Sequence, residues 1–207
     1  MALWLIRSGS LGEREALNLE KGVAAIGWEK TGDLLQFHDR ERILHALSRA
    51  YPEQAERTIR TWSSELWAFS RKIQINDFIA MPMRGRGSIY LGKVIGNYAY
   101  RMDFPENSRH AIEVHWLDEY PRTSFPQDIL RSLGAIKTVA RVNRDHVDER
   151  VDAIISGVIL PLENGAEEEI EAEEKENLEQ YAQDQITGFI NKNFKEHDLE
   201  RLVAALL

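Results

Sequence analysis

The chain has 207 residues, of which 43% are hydrophobic and 29% charged, and its formal net charge is -8. That length suits one full domain with an appendage, or two small domains. No run approaches the ~20 apolar residues a membrane span needs, no basic start precedes a long apolar stretch as in a signal peptide, and cysteine is absent, which removes disulfides, thiolate zinc sites and cysteine nucleophiles and fits a reducing, cytoplasmic setting. The charge is uneven. Residues 1–160 hold 22 Lys/Arg against 21 Asp/Glu, a net of +1, whereas residues 161–207 hold 4 against 13, a net of -9. The acidity belongs to the last quarter, so the first 160 residues remain free to carry a basic face.

In chain order, Ala2–Arg7 reads as a short buried strand broken by Ser8-Gly9-Ser10, and Gly22–Gly27 as a second strand followed by a polar loop, Trp28–Asp33. Ile43, Leu44 and Leu47 share a helical face; Tyr51-Pro52 interrupts; then Ala55, Ile59, Trp62, Leu66 and Phe69 form a stripe from which Trp67 departs. This predicts a helical pair inserted between strands. Asp77–Met83 and Ser88–Ile95 read as a hairpin joined by Arg84-Gly85-Arg86-Gly87, with a further turn at Gly96-Asn97 before Tyr98–Tyr100. Ala111–Leu117 alternates, with Ile112, Val114 and Trp116 on one face and Glu113 and His115 on the other. Pro126–Leu133 reads as a helix, Ile136–Val142 as a strand and Asp145–Ser156 as a helix. About seven short strands with helices between them predict an α+β domain built on a small, partly open β-barrel, closing near residue 160.

Beyond Pro161–Gly165, residues 161–194 read as an acidic helical linker with a thin apolar stripe. Residues 195–207 then carry Leu199, Leu202, Val203 and Leu206 on one face and stop without a C-cap, which predicts the opening of a further domain and a chain that is a fragment. The Glu163–Glu179 run reads as a spacer; the competing reading is a DNA mimic that occupies the basic face.

Catalytic patterns are missing. Neither a phosphate loop nor a nucleophile elbow occurs. His110-x-x-Glu113-x-His115 has metal-ligand types at a spacing that matches no common zinc pattern, and Glu173-Glu174-Lys175 lies in a solvated charge run. No cofactor, metal or catalytic residue is expected. Binding is better supported. Five tryptophans occur. Trp4, Trp62 and Trp116 fit core positions, whereas Trp28 heads a polar loop and is open to two readings, a stacking platform for a planar ligand or a structural wedge. Trp67 lies off its stripe. Arg84 and Arg86 share a turn that is either solvated or reaches phosphates.

Met1-Ala-Leu-Trp-Leu-Ile-Arg7, Ile26-Gly-Trp-x-x-x-Gly-Asp33-Leu, Leu66-Trp-x-Phe, Leu91-Gly-Lys-Val-x-Gly-x-Tyr-x-Tyr100 and the long block Pro121-Arg-Thr-Ser-Phe-Pro-Gln-Asp-Ile-Leu-x-Ser-Leu-Gly-Ala135 resemble the N-terminal module of Mrr-type, modification-dependent restriction endonucleases. Asn76-Asp77 stands where that family tends to show Gly-Asp. The first segment is also similar to the EVE and YTH branch of the PUA-like barrels, and Phe194–Leu207 is similar to the first helix of the Mrr nuclease domain. The resemblance implies a domain that reads double-stranded DNA through a modified, flipped base and directs a nuclease whose catalytic residues lie downstream. A flipped base needs stacking on both faces and hydrogen bonds to its edge. On that basis Trp28 supplies one face, Asp33 an acceptor, Arg7 and Ser8 the pocket's closure, Tyr98, Tyr100 or Phe125 the second wall, and Trp67 a further contact. Arg84, Arg86, Lys93 and Arg122 grip the backbone. The competing hypothesis is a module of a defence protein that senses a nucleotide or other small ligand, or binds protein, and forms a homo-oligomer through its C-terminal helices.

Overall fold

The strand β1, Leu3–Ile6, is buried along its whole length. A four-residue apolar run of this kind requires cover on both faces of its sheet, and the computed structural model, which describes residues 1–158, supplies it. The elements that follow are α1 (Glu15–Lys21), β2 (Val23–Ile26), α2 (Arg40–Ala50), α3 (Glu56–Arg71), β3 (Phe78–Pro82), β4 (Ser88–Tyr100), β5 (His110–Pro121), α4 (Gln127–Gly134), β6 (Val139–Val142) and α5 (Val147–Ile155). The six strands form one open sheet in the order β2-β5-β4-β3-β1-β6. β1 runs parallel to β3 and antiparallel to β6.

Side chains of β1 alternate between two cores. Trp4 and Ile6 face α2 and α3 with Ile26, Ile79, Ile43, Leu47, Ile59, Leu66 and Phe69. Leu3 and Leu5 face α4 and α5 with Phe78, Leu91, Ile129, Leu133, Val151 and Ile154. The domain is therefore a sheet between two helical pairs. The second pair is tied by a bidentate ion pair from Arg150 to Asp128, at 2.8 and 2.5 Å, a geometry that fixes orientation as well as charge.

The expected α+β domain with helices inserted between strands is what forms, with three differences in detail. Helix α1 was not foreseen: Asn18 is its one buried residue, so no apolar stripe announces it. The turn expected at Gly96-Asn97 is instead a bulged stretch of β4, whose pairing with β5 shifts register between Val94 and Tyr98. Six strands, not seven, result. The second irregularity sits at Gly92, where a Cβ would stand 2.5 Å from Val114 Cγ1 and 2.7 Å from Trp116 Cε3. The expected acidic linker and the start of a further domain lie outside the described residues. Among those residues no helix is long and apolar enough to cross a membrane.

Entry into β3 is governed by one carboxylate. Asp77 Oδ1 accepts the Ala2 N–H at 2.8 Å, and Oδ2 accepts the Trp4 indole N–H at 2.9 Å and the Gln74 N–H at 3.1 Å. The preceding residue, Asn76, has φ +76°, a left-handed conformation that Gly and Asn tolerate and β-branched residues do not. Its departure from Gly-Asp is thus compatible with the backbone. We expect Asn76→Gly to change unfolding free energy by less than about 0.5 kcal/mol, and Asn76→Val to cost about 1–2 kcal/mol. Chemical denaturation midpoints at constant m-value test this.

Candidate functional site

The loop after β2 is built on the main-chain carbonyl of Trp28. Trp28 has φ +69° and ψ +32°, a left-handed conformation costing a bulky residue about 1–2 kcal/mol. Three donors converge on its carbonyl: the Thr31 hydroxyl at 2.7 Å, the Thr31 N–H at 3.0 Å and His110 Nε2 at 3.1 Å. A carbonyl only accepts, so Nε2 carries the imidazole proton. Nδ1 is then an acceptor and takes the Tyr98 hydroxyl proton at 2.8 Å. The Tyr98 oxygen in turn accepts the Leu34 N–H at 3.1 Å. Every polar atom of this fully buried imidazole is matched.

Burial drives His110 down to about 4, despite the opposing pull of the Trp28 carbonyl and the Asp33 charge, so the ring is neutral at pH 7. Burial likewise holds Tyr98 protonated far above its usual range. Neither group is a candidate proton carrier. Both fix the loop.

The Trp28 side chain is partly exposed. Its indole meets Trp62 edge-on, with centroids 5.6 Å apart, and Trp62 meets Tyr51 the same way at 5.5 Å. Tyr51 and Trp62 are partly exposed as well, and Lys30 Nζ stands 5.2 Å from the Tyr51 ring centre. Tyr100 packs on His110 at 5.1 Å and donates its hydroxyl to the Glu29 carbonyl at 3.3 Å. Asp33 caps the following helical turn by accepting the Leu35 N–H at 2.9 Å, which commits one of its oxygens.

The loop connects outward to the arginine turn. Arg14 lies against Gly27, where a Cβ would meet Nη2 at 3.0 Å, and donates from Nε to the Asn107 carbonyl at 2.7 Å. The next residue, Glu15, accepts the Arg84 N–H at 2.6 Å. Arg122 joins from the other side, its N–H bonded to the Gly87 carbonyl at 3.1 Å. Arg86 is held by Glu119 at 3.4 Å, whereas the side chains of Arg84 and Arg122 make no ion pair among the described residues. The Trp28 loop is thus joined through the adjacent residues Arg14 and Glu15 to the main chain of the Arg84–Gly87 turn, whereas Tyr100 ends β4 at the strand's other end.

The remaining expected site residues are placed elsewhere. Phe125 is 3% exposed and belongs to the core under α4 and α5, across the sheet from Trp28, so it cannot wall the same pocket. Arg7 spends its guanidinium on the Leu133, Gly134 and Ala135 carbonyls that end α4, a C-cap and not a pocket gate. Ser8 is buried, accepting from Asn18 Nδ2 at 3.0 Å and bonded to Met81 sulfur. Tyr98 is a buried support for His110 and not an open wall. Lys93 packs over Phe78, on the face opposite Trp28. Trp67 lies under the Arg71 guanidinium at 5.9 Å and has no aromatic partner among the described residues. His110, Thr31, Trp62 and Tyr51 were not foreseen as parts of the site. His110 had a readable signal: it continues the inward phase of Ile112, Val114 and Trp116. Glu113 and His115 are exposed on the other face, so the three metal-ligand types do not meet.

A family model described as a domain of unknown function, DUF8426, matches residues 4–143. The chain belongs to this family. No curated protein matches it. The YTH domain of the MRB1 protein of Zygosaccharomyces rouxii, crystallised in complex with N6-methyladenosine RNA, is 12% identical, with 81% of this chain and 90% of that chain covered at a TM-score of 0.41. A crystallised protein of Agrobacterium tumefaciens is 13% identical, with 80% and 100% covered at 0.35. The matched span of the DUF8426 domain contains both Trp28 and His110.

The sign of the His110 contribution follows from its depressed value. The unfolded chain binds a proton near pH 6.5 that the folded chain refuses until about 4, so stability rises with pH across that window. Glu65 on α3 acts oppositely: burial lifts it to about 7, so the folded chain holds a proton that the unfolded chain releases near 4.5, and stability falls as pH rises to 7. Each amounts to about 3 kcal/mol at most. We expect a nearly flat stability profile between pH 4.5 and 6.5 in the native chain. Glu65→Gln should expose the rising His110 limb and His110→Gln the falling Glu65 limb, in pH-dependent thermal melts.

Proposed function

We propose that this domain reads modified nucleic acid, binding a flipped base in double-stranded DNA against the Trp28 indole. The observation that carries the reading is the left-handed backbone of Trp28, held by three donors on its carbonyl. A bulky residue kept in a strained conformation by buried bonds marks a position whose side-chain placement matters. The arrangement keeps an indole partly exposed where β2 passes into its loop, with Asp33 further along that loop, Tyr100 packed on His110, and the Arg84, Arg86 and Arg122 cations around the turn that Glu15 joins to it. Stacking on such a platform contributes ~1–3 kcal/mol per base, and the arginines suit phosphates. Trp62 and Tyr51, rather than Phe125, are the aromatic groups adjoining Trp28. The resemblance to the N-terminal module of Mrr-type endonucleases supports DNA as the substrate class and a C-terminal nuclease as the element the domain directs.

Equilibrium binding to matched duplexes, unmodified and carrying methylated adenine, methylated cytosine or hydroxymethylated cytosine, with single-stranded RNA counterparts, tests the proposal. One modified duplex should bind preferentially, and Trp28→Ala should reduce that preference by about tenfold or more, as the loss of one stacked base requires. Equal affinity for every duplex, or a preference that survives Trp28→Ala, overturns the pocket. A preference confined to RNA overturns the DNA assignment.

A further inference from the structure

A cleft of about 1080 Å³ opens between α3 and β6, beside the start of β1. The Ser8 loop lies at the other end of that strand. One wall is a face of α3: Arg57, Thr61, Ser64, Ala68 and Lys72 recur at intervals of three or four residues and so project together. Arg60 and Arg71 flank this face, and Lys137 and Arg141 stand on the other wall. Long cationic side chains occupy both ends of the helical wall and short ones its middle. From Arg57 to Lys72 the helix advances roughly 22 Å at 1.5 Å per residue.

Two carboxylates face the cleft, and both are committed inward. Asp77 accepts the Ala2 N–H, the Trp4 indole N–H and the Gln74 N–H. Glu65 is 5% exposed, and its Oε2 accepts the Thr138 and Val139 N–H groups at 2.9 and 3.0 Å, with Lys137 attracted to its charge. Of the cations, Arg60 is paired with Glu56 and Arg71 bonds to the Leu35 and Phe37 carbonyls. The side chains of Arg57, Lys72 and Arg141 make no hydrogen bond or ion pair among the described residues.

We infer that this cleft is a second anion-binding surface, one that takes the phosphodiester backbone of a nucleic-acid strand. Cations spread over roughly 22 Å cannot converge on a single phosphate, whereas a strand presents one phosphate per ~3.4 Å of rise. The small residues at the middle of the α3 wall leave room for the sugar-phosphate chain between them. Recognition here is independent of sequence and modification, because it touches phosphates and no base edge. The inference shares with the reader proposal the class of partner and uses none of its residues.

The test is the variant Arg57→Gln/Lys72→Gln/Arg141→Gln in the full chain, with its fold checked by thermal melting, measured against modified and unmodified duplexes over a salt series. Affinity should fall about tenfold or more for both duplexes alike, and the slope of log affinity against log salt should drop by up to about three, near one per lost phosphate contact. Arg57→Lys and Arg141→Lys should retain most of the binding. Affinity and slope within about twofold of the native chain overturn the cleft. Displacement of the duplex by millimolar inorganic phosphate or a mononucleotide also overturns it, in favour of a small phosphorylated ligand. Loss of modification preference in Trp28→Ala with an unaffected triple variant leaves the reader standing without the cleft. Uniform loss in the triple variant with no preference among native-chain duplexes leaves the cleft standing without the reader.

Discussion

The hydrogen bond from buried His110 to the Trp28 carbonyl sets the conformation of the loop after β2. It fixes the imidazole tautomer, and with it the direction of the Tyr98 hydroxyl proton and the acceptor offered to Leu34. Protonation would leave the Nε2–H bond to the Trp28 carbonyl in place but remove the Nδ1 lone pair that takes the Tyr98 hydroxyl proton, setting two donors, Nδ1–H and the Leu34 N–H, on the Tyr98 oxygen. Burial prevents that event at neutral pH. The loop is thus held by a network that is complete when neutral, and its rigidity keeps the Trp28 indole at one angle to Trp62. Preorganisation of this kind reduces the ordering cost of any ligand that stacks there.

The sheet explains how that loop is carried. β5 delivers His110 from its first residue, and β4 delivers Tyr98 and Tyr100 from its last turns of pleat, opposite Ile112 and His110. The bulge between Val94 and Tyr98 sets the phase of those tyrosines. α3 supplies Trp62 to the aromatic group and, from another face, Glu65 and the cations of the cleft. One helix therefore contributes to both surfaces, and its stripe of Ile59, Leu66 and Phe69 is buried.

Much of this was legible in the sequence. Alternation gave β5, helical spacing gave α3, and the position of Trp28 between an apolar strand and a polar loop singled it out. The all-apolar β1 was legible as a short buried strand. Other features carried no local signal. Tryptophan does not advertise a left-handed backbone as glycine does. Nothing in Pro121–Ala135 says which face of the sheet it will cover, and that choice separates Phe125 from Trp28. Arg7 is two residues from Gly9 in a segment that reads as a pocket rim, yet its partners lie some 126 to 128 positions away, at a distance no spacing rule reaches. Glu65 is buried beside the apolar stripe of α3, where a charged residue reads as an irregularity until the strand it caps is in view.

Both edge strands of the open sheet have main-chain groups occupied by side chains. On β2, the Ala25 N–H is taken by Asn18 Oδ1 at 3.0 Å and the Val23 carbonyl by the Trp116 indole at 3.2 Å. At the start of β6, Glu65 takes two successive N–H groups. An open sheet ordinarily offers such groups to any passing strand. Here a docking strand would first have to displace an amide on one side and a buried carboxyl on the other. Sheet continuation between copies is disfavoured at these positions on both borders.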